Sequence, residues 1–433
     1  MNIYIHTLGC FKNEVDSSGI STVLKRAGFN MTSLDEADMV ILNTCGFIRP
    51  AKEEAINSIL RFIDYKKSRG VKLIVTGCLA QRYLSDLADE FPEVDAFVGL
   101  GKINCFPDIV NRVIRGERVI EGGDLRNLLD FEIEASPLVY YLKISDGCNN
   151  RCNYCAIPLI RGPLQTRRPE DILKEARIAI DRGTKEIVLV AQDLTGYNYK
   201  GYSIVDLLKD LNSLEGDFWI RLLYLHPARI DEALIEAISN LPRVLRYVDI
   251  PIQHIDDGVL KSMGRPGRET TEKAIKLLKK IPGIIIRTSF IIGYPTETQS
   301  AFENLLRFLE EERLHRAGFF IYSPEENTPA YDLGDPVPDR VKRFRLRKAQ
   351  ALQEDIMLEF HRTVIGKRFR VLIDGIYKKS DEGNVFTGRT YMDAPEIDSR
   401  VLIKSDKDIY GKFLDIEIEG LDGYDFFGKV WRE

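Results

Sequence analysis

The chain has 433 residues, of which 44% are hydrophobic and 29% are charged, and its formal net charge is −5. This composition is typical of a soluble globular protein with about two to four domains. The negative net charge argues against a protein that coats nucleic acid with its whole surface, although local basic patches remain possible. We expect no membrane span, because no run of about 18 apolar residues occurs, and no secretory signal, because no basic segment precedes a long apolar run near the N-terminus.

The cysteines are the most informative residues of the composition. Six of the seven form two triplets, which are Cys10, Cys45 and Cys78, and Cys148, Cys152 and Cys155. An odd number in this grouping favours ligands in a reducing cytosol over a disulfide framework. We therefore expect a cytoplasmic protein, with Cys105 as a structural residue outside both triplets.

The first part of the chain alternates between strands and helices. Its predicted elements are strands at Ile3–Leu8, Met39–Leu42, Lys72–Val75 and Asp95–Leu100, and helices at Asn13–Lys25, Ala51–Lys67 and Ile109–Gly116. This alternation predicts a parallel sheet with right-handed crossovers. Polar, irregular sequence follows, and we place a domain boundary near Ala135–Pro137.

Each cysteine of the first triplet lies just past the carboxyl end of one predicted strand. In an open parallel sheet these ends share one edge, where ligands bind, so Cys10, Cys45 and Cys78 should converge. The alternative is that they are small buried hydrophobes, which is a common role of free cysteine. Buried core cysteines would fall at random along the strands, whereas all three lie at the same end. The pattern therefore favours a site with three thiolate ligands.

The second triplet lies in the stretch SDGCNNRCNYCAIPLIRG, residues Ser145–Gly162, as a C-x3-C-x2-C array. Thiolates are soft ligands, so closely spaced cysteines indicate zinc or an iron–sulfur cluster. A closed structural zinc site takes four ligands, but the nearest cysteine upstream is Cys105 and the next histidine downstream is His226. Three thiolates on a four-iron cluster would leave one iron open to a small molecule. A zinc knuckle or a redox dithiol is the alternative.

This array resembles the signature of the radical S-adenosylmethionine enzymes. In that superfamily the residue before the last cysteine is aromatic and lies near the adenine of the cofactor, and here that residue is Tyr154. The patterns TLGC, NTCGF and TGC around the first triplet resemble the N-terminal domain of the methylthiotransferase family, in which these cysteines bind an auxiliary 4Fe–4S cluster. The stretch IQHIDDGVLKSMGRPG, residues Ile252–Gly267, is similar to the ribosomal-protein (RimO-type) branch of that family.

From Val139 the alternation of strands and helices resumes. The predicted strands are Val139–Ile144, Ile187–Ala191, Trp219–Leu225, Arg246–Pro251, Ile284–Ile292 and Gly318–Tyr322. Six such units resemble the incomplete barrel of the radical S-adenosylmethionine superfamily, since a full eight-stranded barrel would need more chain.

In barrels of this kind the chemistry sits at the carboxyl ends of the strands. We therefore expect contacts with the sulfonium cofactor from four residues at or near those ends, which are Gln192, His254, Arg287 and Ser289. Arg287 could pair with the cofactor carboxylate through its planar fork. For each of the four, ordinary packing or a helix cap is the alternative.

The segment Asp339–Val364 is predicted to be one long helix, with six cations within residues 340–348. Charge runs are usually solvated helix faces. The alternative, more specific interpretation is a patch that contacts ribosomal RNA or an electron donor.

From Gly366 five short segments of alternating apolar residues, separated by glycine, predict a small closed β-barrel. This barrel resembles the TRAM domain, which contacts RNA in relatives. Residues 368–433 carry 11 Lys and Arg against 14 Asp and Glu, a net charge of −3. Because an RNA binder depends on neutralising phosphates, an acidic barrel suits a basic protein better. The stretch Gly388–Asp398 also looks like the ribosomal-protein branch.

The predicted fold class is α/β. It comprises an open parallel sheet over residues 1–135, a partial (β/α)6 barrel over 136–365 and a small all-β barrel over 366–433. The resemblance implies an enzyme that adds a methylthio group to the β-carbon of an aspartate in small-subunit ribosomal protein twelve. It implies two 4Fe–4S clusters, one on each cysteine triplet, and S-adenosylmethionine as both radical source and methyl donor. A radical is needed, because no side chain deprotonates an unactivated C–H bond near neutral pH.

The implied partners are a basic ribosomal protein, an external low-potential electron donor and, near the substrate, ribosomal RNA, with no membrane. Three alternatives stay open: a tRNA adenosine methylthiotransferase, an iron–sulfur electron carrier without a substrate, and an RNA-binding module. A carrier has no reason to leave two clusters each one ligand short. The acidic barrel disfavours both alternatives that involve RNA.

Overall fold

The computed structural model of the chain describes residues 1–129, 138–378 and 384–431. The described residues form three units in chain order, each built around its own sheet. The predicted domain boundary near Ala135–Pro137 lies outside them. No helix within the described ranges is long and apolar enough to cross a membrane.

The first unit is a six-stranded parallel sheet with helices on both faces. Its strands are β1 (Asn2–Thr7), β2 (Asn30–Met31), β3 (Met39–Thr44), β4 (Lys72–Gly77), β5 (Ala96–Val98) and β6 (Val119–Glu121). Its helices are α1 (Phe11–Arg26), α2 (Arg49–Arg69), α3 (Cys78–Arg82), α4 (Leu84–Glu90) and α5 (Phe106–Ile114). Leu42 of β3 shares a core with Ile59 of α2, whereas Ile41 shares the opposite core with Leu24 of α1. The apolar run Met39–Leu42 of β3 is therefore buried on both sides, as expected of a parallel sheet.

The order of this sheet is β2-β1-β3-β4-β5-β6. Strands β1, β3 and β4 are neighbours and run parallel, so their carboxyl ends lie side by side at one edge. The predicted parallel sheet is thus confirmed. The sequence analysis missed β2 and β6, which are too short to carry a periodic pattern.

The second unit is an open barrel. Its strands are β7 (Val139–Lys143), β8 (Ser145–Asp146), β9 (Gln165–Thr166), β10 (Glu186–Val190), β11 (Asn198–Tyr199), β12 (Tyr202–Ser203), β13 (Trp219–Leu222), β14 (Val244–Asp249), β15 (Ile285–Ile292) and β16 (Arg316–Ile321). Its helices are α6 (Ile157–Arg161), α7 (Pro169–Asp181), α8 (Ile204–Ser213), α9 (Glu232–Asn240), α10 (Asp257–Ser262), α11 (Arg268–Leu278), α12 (Gln299–Glu312) and α13 (Asp339–Arg362).

Six of these strands pair in parallel in the order β16-β15-β14-β13-β10-β7, and the first and last of them leave the barrel open. Ile286 and Phe290 of β15 pack in the core shared with the surrounding helices. Because side chains alternate along a strand, Ile285, Arg287 and Ser289 point to the opposite side, into the lumen. The predicted six-stranded partial barrel is confirmed.

The third unit is a closed five-stranded barrel in the order β17-β18-β19-β21-β20. Its strands are β17 (Arg368–Lys378), β18 (Asn384–Arg389), β19 (Val401–Ser405), β20 (Phe413–Asp422) and β21 (Asp425–Val430). The predicted small barrel is confirmed as well.

The third unit docks into the amino-terminal end of the open barrel through residues 389–398, which we call the lumen segment. Glu186 at the start of β10 forms ion pairs with Arg221 of β13 at 2.5 Å and with Arg389 at 2.6 Å. Tyr247 of β14 donates a hydrogen bond to Asp398 at 2.7 Å. Apolar residues of both barrels share one core. This end of the lumen is therefore filled by the third unit.

Two cations of the long helix α13 are buried. Lys342 forms an ion pair with Asp335, and Arg345 pairs with Glu297 at 2.7 Å. The interpretation of the whole charge run as a solvated face is therefore wrong for these two, because carboxylates from neighbouring segments reach them. The cations that remain exposed are Arg340, Arg343, Arg347 and Lys348.

Candidate active site

The first cysteine triplet lies at the carboxyl edge of the first sheet. Cys10 immediately precedes α1 after β1, Cys45 directly follows β3, and Cys78 opens α3 directly after β4. Since these three strands are adjacent, the cysteines come together although 68 positions separate the first from the last. Cys105 is exposed.

Glycines allow the three cysteine loops to approach one another closely. A Cβ atom on Gly9, which has a φ of +98°, would lie 2.8 Å from the Cβ atom of Cys45. A Cβ atom on Gly46 would lie 2.8 Å from the backbone of Leu79, next to Cys78. Real Cβ atoms do not approach other atoms so closely. At Gly9, moreover, only glycine adopts the positive φ without strain. The residues flanking the cysteines thus permit the contact that a shared ligand site requires.

The thiols of this triplet influence one another electrostatically. Burial, followed by the charges of Cys78 and Cys10, raises the pKa of Cys45 to about 12. Burial also raises the pKa of Cys78, although Arg161 opposes the increase. At Cys10 burial is outweighed by Lys12 and Arg161, so its pKa falls below the ordinary value. Metal ligation needs thiolates, so the positive charge of a bound metal would offset the cost of ionising these buried thiols.

The second triplet lies in the loop between β8 and α6. The Cys148 N–H donates to the carbonyl of Gly162 at 3.1 Å, and the Asn153 N–H donates to the carbonyl of Met263 at 2.9 Å. The Asn150 N–H donates to the Cys148 Sγ at 3.4 Å. The loop is therefore fixed to the residue that follows α6 and to the residue that follows α10.

Two side chains flank Cys152. Tyr154 packs against an apolar cluster that includes Met263, and burial, followed by the charge of Cys152, raises its pKa. Arg265 donates to the Cys152 Sγ at 3.7 Å and to the carbonyl of Pro251 at 2.5 Å. Tyr154 thus lies beside the triplet, and its contact with an adenine stays a prediction. Arg265 was missed by the sequence analysis.

A buried ionic network links the first triplet to the segments that flank the second. The guanidinium of Arg161, in α6, donates to Asp146 at 2.7 Å, to Asp16 at 3.0 Å and to the Asn13 Oδ1 at 3.0 Å. The same guanidinium lies 3.5 Å from the Cys78 Sγ, to which it donates. The side chain of Arg161 is only 1% exposed. The helix that follows the second triplet therefore contacts a thiol of the first.

Lys143 completes this network. It forms an ion pair with Asp146 at 2.9 Å and another with Asp16, so two cations face two carboxylates. Burial would raise the pKa of Asp146, but Arg161 and Lys143 hold it well below the ordinary range. The sequence analysis missed the network, although Lys143 and Arg161 stand as single charges in otherwise apolar segments.

Gln192 and His254 occupy different environments. Gln192 donates to Asp146 at 2.6 Å, and its Oε1 atom is buried without a hydrogen-bond partner among the described residues. His254 is fully buried, its Nδ1 atom accepts from the Asp256 N–H at 3.0 Å, and its Nε2 atom lies 3.4 Å from Glu297. Gln192 therefore has an acceptor to offer at the strand ends, whereas both ring nitrogens of His254 face protein groups.

Arg287 and Ser289 share the lumen side of β15. Arg287 forms an ion pair with Asp249 at 3.2 Å and lies 3.9 Å from Asp398 of the lumen segment. In this arrangement the guanidinium of Arg287 already faces two carboxylates. Its predicted pairing with a cofactor carboxylate, like the predicted cofactor contacts of Ser289, Gln192 and His254, stays a prediction.

The donor sets fit iron–sulfur chemistry. Two sets of three cysteines supply the soft thiolate ligands that such clusters use. Among residues 1–129, 138–378 and 384–431, no three His, Cys, Asp or Glu side chains form a group that could hold a metal ion. The cysteines of a four-iron cluster ligate different irons, so they surround the cluster instead of meeting at one point.

Comparison with known families divides the chain as the three units do. The model described as uncharacterized protein family UPF0004 matches residues 2–99, the radical SAM superfamily matches 142–309, and the TRAM domain matches 365–430. A solved structure of the radical S-adenosylmethionine methyltransferase TsrM from Kitasatospora setae, with cobalamin and a 4Fe–4S cluster bound, has a TM-score of 0.56. It is 13% identical in sequence, and the likeness covers 76% of both chains. Fold and matched models together define a radical S-adenosylmethionine enzyme with a TRAM domain.

Curated relatives narrow this class. The chain is 42% identical to a protein of Heliobacterium modesticaldum over 100% of this chain and 96% of the relative. It is 43% identical to one of Desulforudis audaxviator over 99% and 96%, and 39% identical to one of Thermosipho melanesiensis over 100% of both. Each relative is named ribosomal protein uS12 methylthiotransferase RimO. The chain belongs to the RimO methylthiotransferase family, which confirms the resemblance found in its sequence.

Proposed function

We propose that this chain attaches a methylthio group to the β-carbon of an aspartate in ribosomal protein uS12. Membership in the RimO family supports the substrate and the reaction. The observation that carries the proposal is the contact that links the units of the two triplets: Arg161, in the helix that follows the second triplet, lies 3.5 Å from Cys78 of the first. We also propose domain limits of 1–135, 136–365 and 366–433, and the ranges of the matched families support them.

The triplets are proposed to hold one cluster each. One 4Fe–4S cluster would be held by Cys148, Cys152 and Cys155, and the other by Cys10, Cys45 and Cys78. When bound, these groups and S-adenosylmethionine supply one-electron and sulfur-transfer chemistry that no side chain provides.

The chain itself keeps the two triplets in fixed relation and shields the space between them. Phe11, next to Cys10, stacks on Tyr141 of β7 with ring centroids 4.5 Å apart. The Lys12 ammonium lies 3.9 Å from the ring centroid of Tyr224. The start of α1 is therefore packed against the open barrel, where it excludes water from the reacting groups.

An acidic cavity beside this packing suits the proposed substrate. It measures about 1390 Å³ and lies between α1, the free edges β7 and β16, α13 and the third unit. Six acidic and three basic side chains line it, which are Glu14, Glu354, Asp374, Glu396, Asp398 and Asp425, and Arg316, Arg389 and Arg400. Together with the net charge of −3 of residues 368–433, this balance favours a basic polypeptide over tRNA.

Two further partners are proposed from the exposed cations of α13, named above. This face would meet ribosomal RNA near the substrate, whose phosphates are negatively charged, or an external low-potential electron donor with an acidic surface. A ribosomal substrate would also place the enzyme in the cytoplasm.

The test is to reconstitute the chain with iron and sulfide and supply dithionite and S-adenosylmethionine. Purified uS12 and bulk tRNA are offered in parallel, and mass spectrometry follows both. We expect 5′-deoxyadenosine and a mass increase of one methylthio group on an aspartate of uS12. Methylthiolated adenosine in the tRNA, with uS12 unchanged, would contradict the proposal, and so would an absence of 5′-deoxyadenosine.

Single cysteine variants separate the two triplets. Cys148→Ala should abolish formation of 5′-deoxyadenosine. Cys10→Ala should retain it but lose transfer of the methylthio group. Cys105→Ala, which changes the exposed seventh cysteine, is the matched control and should retain both. If Cys10→Ala still delivers the group to uS12, the role assigned to the first triplet is wrong.

A further inference from the structure

The guanidinium of Arg161 is shared between an ionic network and a cysteine sulfur. One of its terminal nitrogens, Nη1, donates to Asp146 at 2.7 Å. The other, Nη2, donates to Asp16 at 3.0 Å and to the Cys78 Sγ at 3.5 Å. Because the guanidinium is planar and rigid, the contacts to the carboxylates also fix its position against the sulfur.

The contact between Arg161 and the Cys78 Sγ is additional to the ion pairs of this network. Asp16 and Asp146 are already matched by the two cations Arg161 and Lys143. Counted over Asp16, Asp146, Arg161 and Lys143 alone, the network is neutral, and a thiolate at Cys78 would add a negative charge beside it. Since Arg161 is 1% exposed, water does not screen the interaction between that charge and the guanidinium.

We propose that Arg161 is a positioning residue that sets the reduction potential of the cluster on Cys10, Cys45 and Cys78. The proposal rests on the proposed function, because it requires a cluster at this triplet. Cluster potentials depend on net charge and on hydrogen bonds to the sulfurs, and the partners of metal ligands tune the metal. A cationic N–H donor at a ligand sulfur stabilises the reduced cluster, which carries one more negative charge. Arg161 therefore raises the potential of the first triplet's cluster from a position on the helix that follows the second triplet.

The second triplet has a donor of its own. Arg265 donates to the Cys152 Sγ at 3.7 Å. The influence of Arg161 should accordingly be confined to the first triplet, and substitution of Arg265 should leave the potential of that triplet unchanged.

The experiment uses the full chain with Cys148, Cys152 and Cys155 replaced by Ala, so that a single cluster signal remains. Each variant is reconstituted anaerobically with iron and sulfide, and its midpoint potential is measured by a redox titration followed by electron paramagnetic resonance. Arg161→Lys keeps the charge but loses the fork, and Arg161→Met loses both. We expect a lower potential for Arg161→Lys and a still lower one for Arg161→Met. A tenfold change in the one-electron equilibrium corresponds to about 59 mV, which this titration resolves.

Two controls test the location of the effect in the same background. Arg221→Lys alters a fully buried arginine whose ion pair is with Glu186, and Arg265→Lys alters the donor of the other triplet. Both should keep the parent potential. Unchanged potentials in iron-loaded Arg161→Lys and Arg161→Met would overturn the proposal, and if Arg161→Met does not fold, Arg161→Lys alone decides it. If the parent chain binds no iron, the proposed function fails first, which is a different result.

Discussion

Replacing Glu186 by Gln should loosen the third unit from the open barrel. The Glu186 carboxylate is fully buried and is shared by Arg221 at 2.5 Å and Arg389 at 2.6 Å. After the substitution Arg389 keeps its ion pair with Asp374 at 2.6 Å. Arg221 loses its ion pair and keeps neutral partners, which are the carbonyl of Tyr391 at 3.0 Å, the ring of Tyr247 and the new amide oxygen. Removing one partner of a buried ion pair costs about 3–5 kcal/mol, because the other charge stays buried and uncompensated.

The loss can be measured by urea unfolding followed through Trp219. Its ring lies 4.7 Å from that of Phe413, so its fluorescence reports on the contact between the two barrels. We expect the free energy of unfolding, measured for the first transition in which Trp219 fluorescence changes, to fall by about 3 kcal/mol or more. Glu53→Gln is the matched control, because Glu53 and its partner Arg49 are 58% and 76% exposed, and such a pair is worth less than about 1 kcal/mol. Equal effects of the two substitutions would refute the reasoning.

Two further predictions concern His361 and Gly9. Burial, followed by the charge of Arg316, lowers the pKa of His361 from 6.5 to about 4. Between these two values the unfolded chain binds a proton at His361 that the folded chain does not. Stability is therefore lost as the pH falls from 6.5 towards 4. His361→Phe should remove about 3 kcal/mol of that loss at pH 4, measured by urea unfolding at pH 7 and pH 4, and an unchanged pH dependence would contradict this origin. Gly9→Ala places a Cβ atom 2.8 Å from that of Cys45 and should cost the first triplet its iron while 5′-deoxyadenosine formation continues. Gly28→Ala, which shares a positive φ but has nothing within 4 Å, is its control and should keep all its iron, whereas full iron content in Gly9→Ala would exclude the close approach.

The architecture could be predicted because the elements that build it are long and strongly patterned. β3 is buried at every position and begins with the apolar run Met39–Leu42, and such runs identify strands of a parallel sheet. The position of each cysteine after such a strand then predicts the edge at which Cys10, Cys45 and Cys78 meet. Strand ends in the second unit were similarly predictable, and only the exact bounds shifted by a few residues.

The contacts between units could not be predicted in this way. Arg161 meets Cys78 across 83 positions, and no local pattern records that pairing. The sequence gives no sign that charges of the lumen segment are enclosed, yet Arg389 and Asp393 are buried. In α13 six of the nine residues 340–348 are cations, but only the fold reveals that Lys342 and Arg345 are buried. The hydrophobic periodicity of a single segment predicts its secondary structure but not which side chains pair across units.

The two cluster sites can be counted directly. After anaerobic reconstitution the wild-type chain should hold about eight irons with matching sulfide, and a chain with Cys10, Cys45 and Cys78 replaced by Ala should hold about four. The chain with Cys148, Cys152 and Cys155 replaced by Ala should also hold about four, with Mössbauer spectra typical of 4Fe–4S clusters in each case. A wild-type chain with a single cluster, or with zinc in place of iron, would contradict the assignment of both triplets.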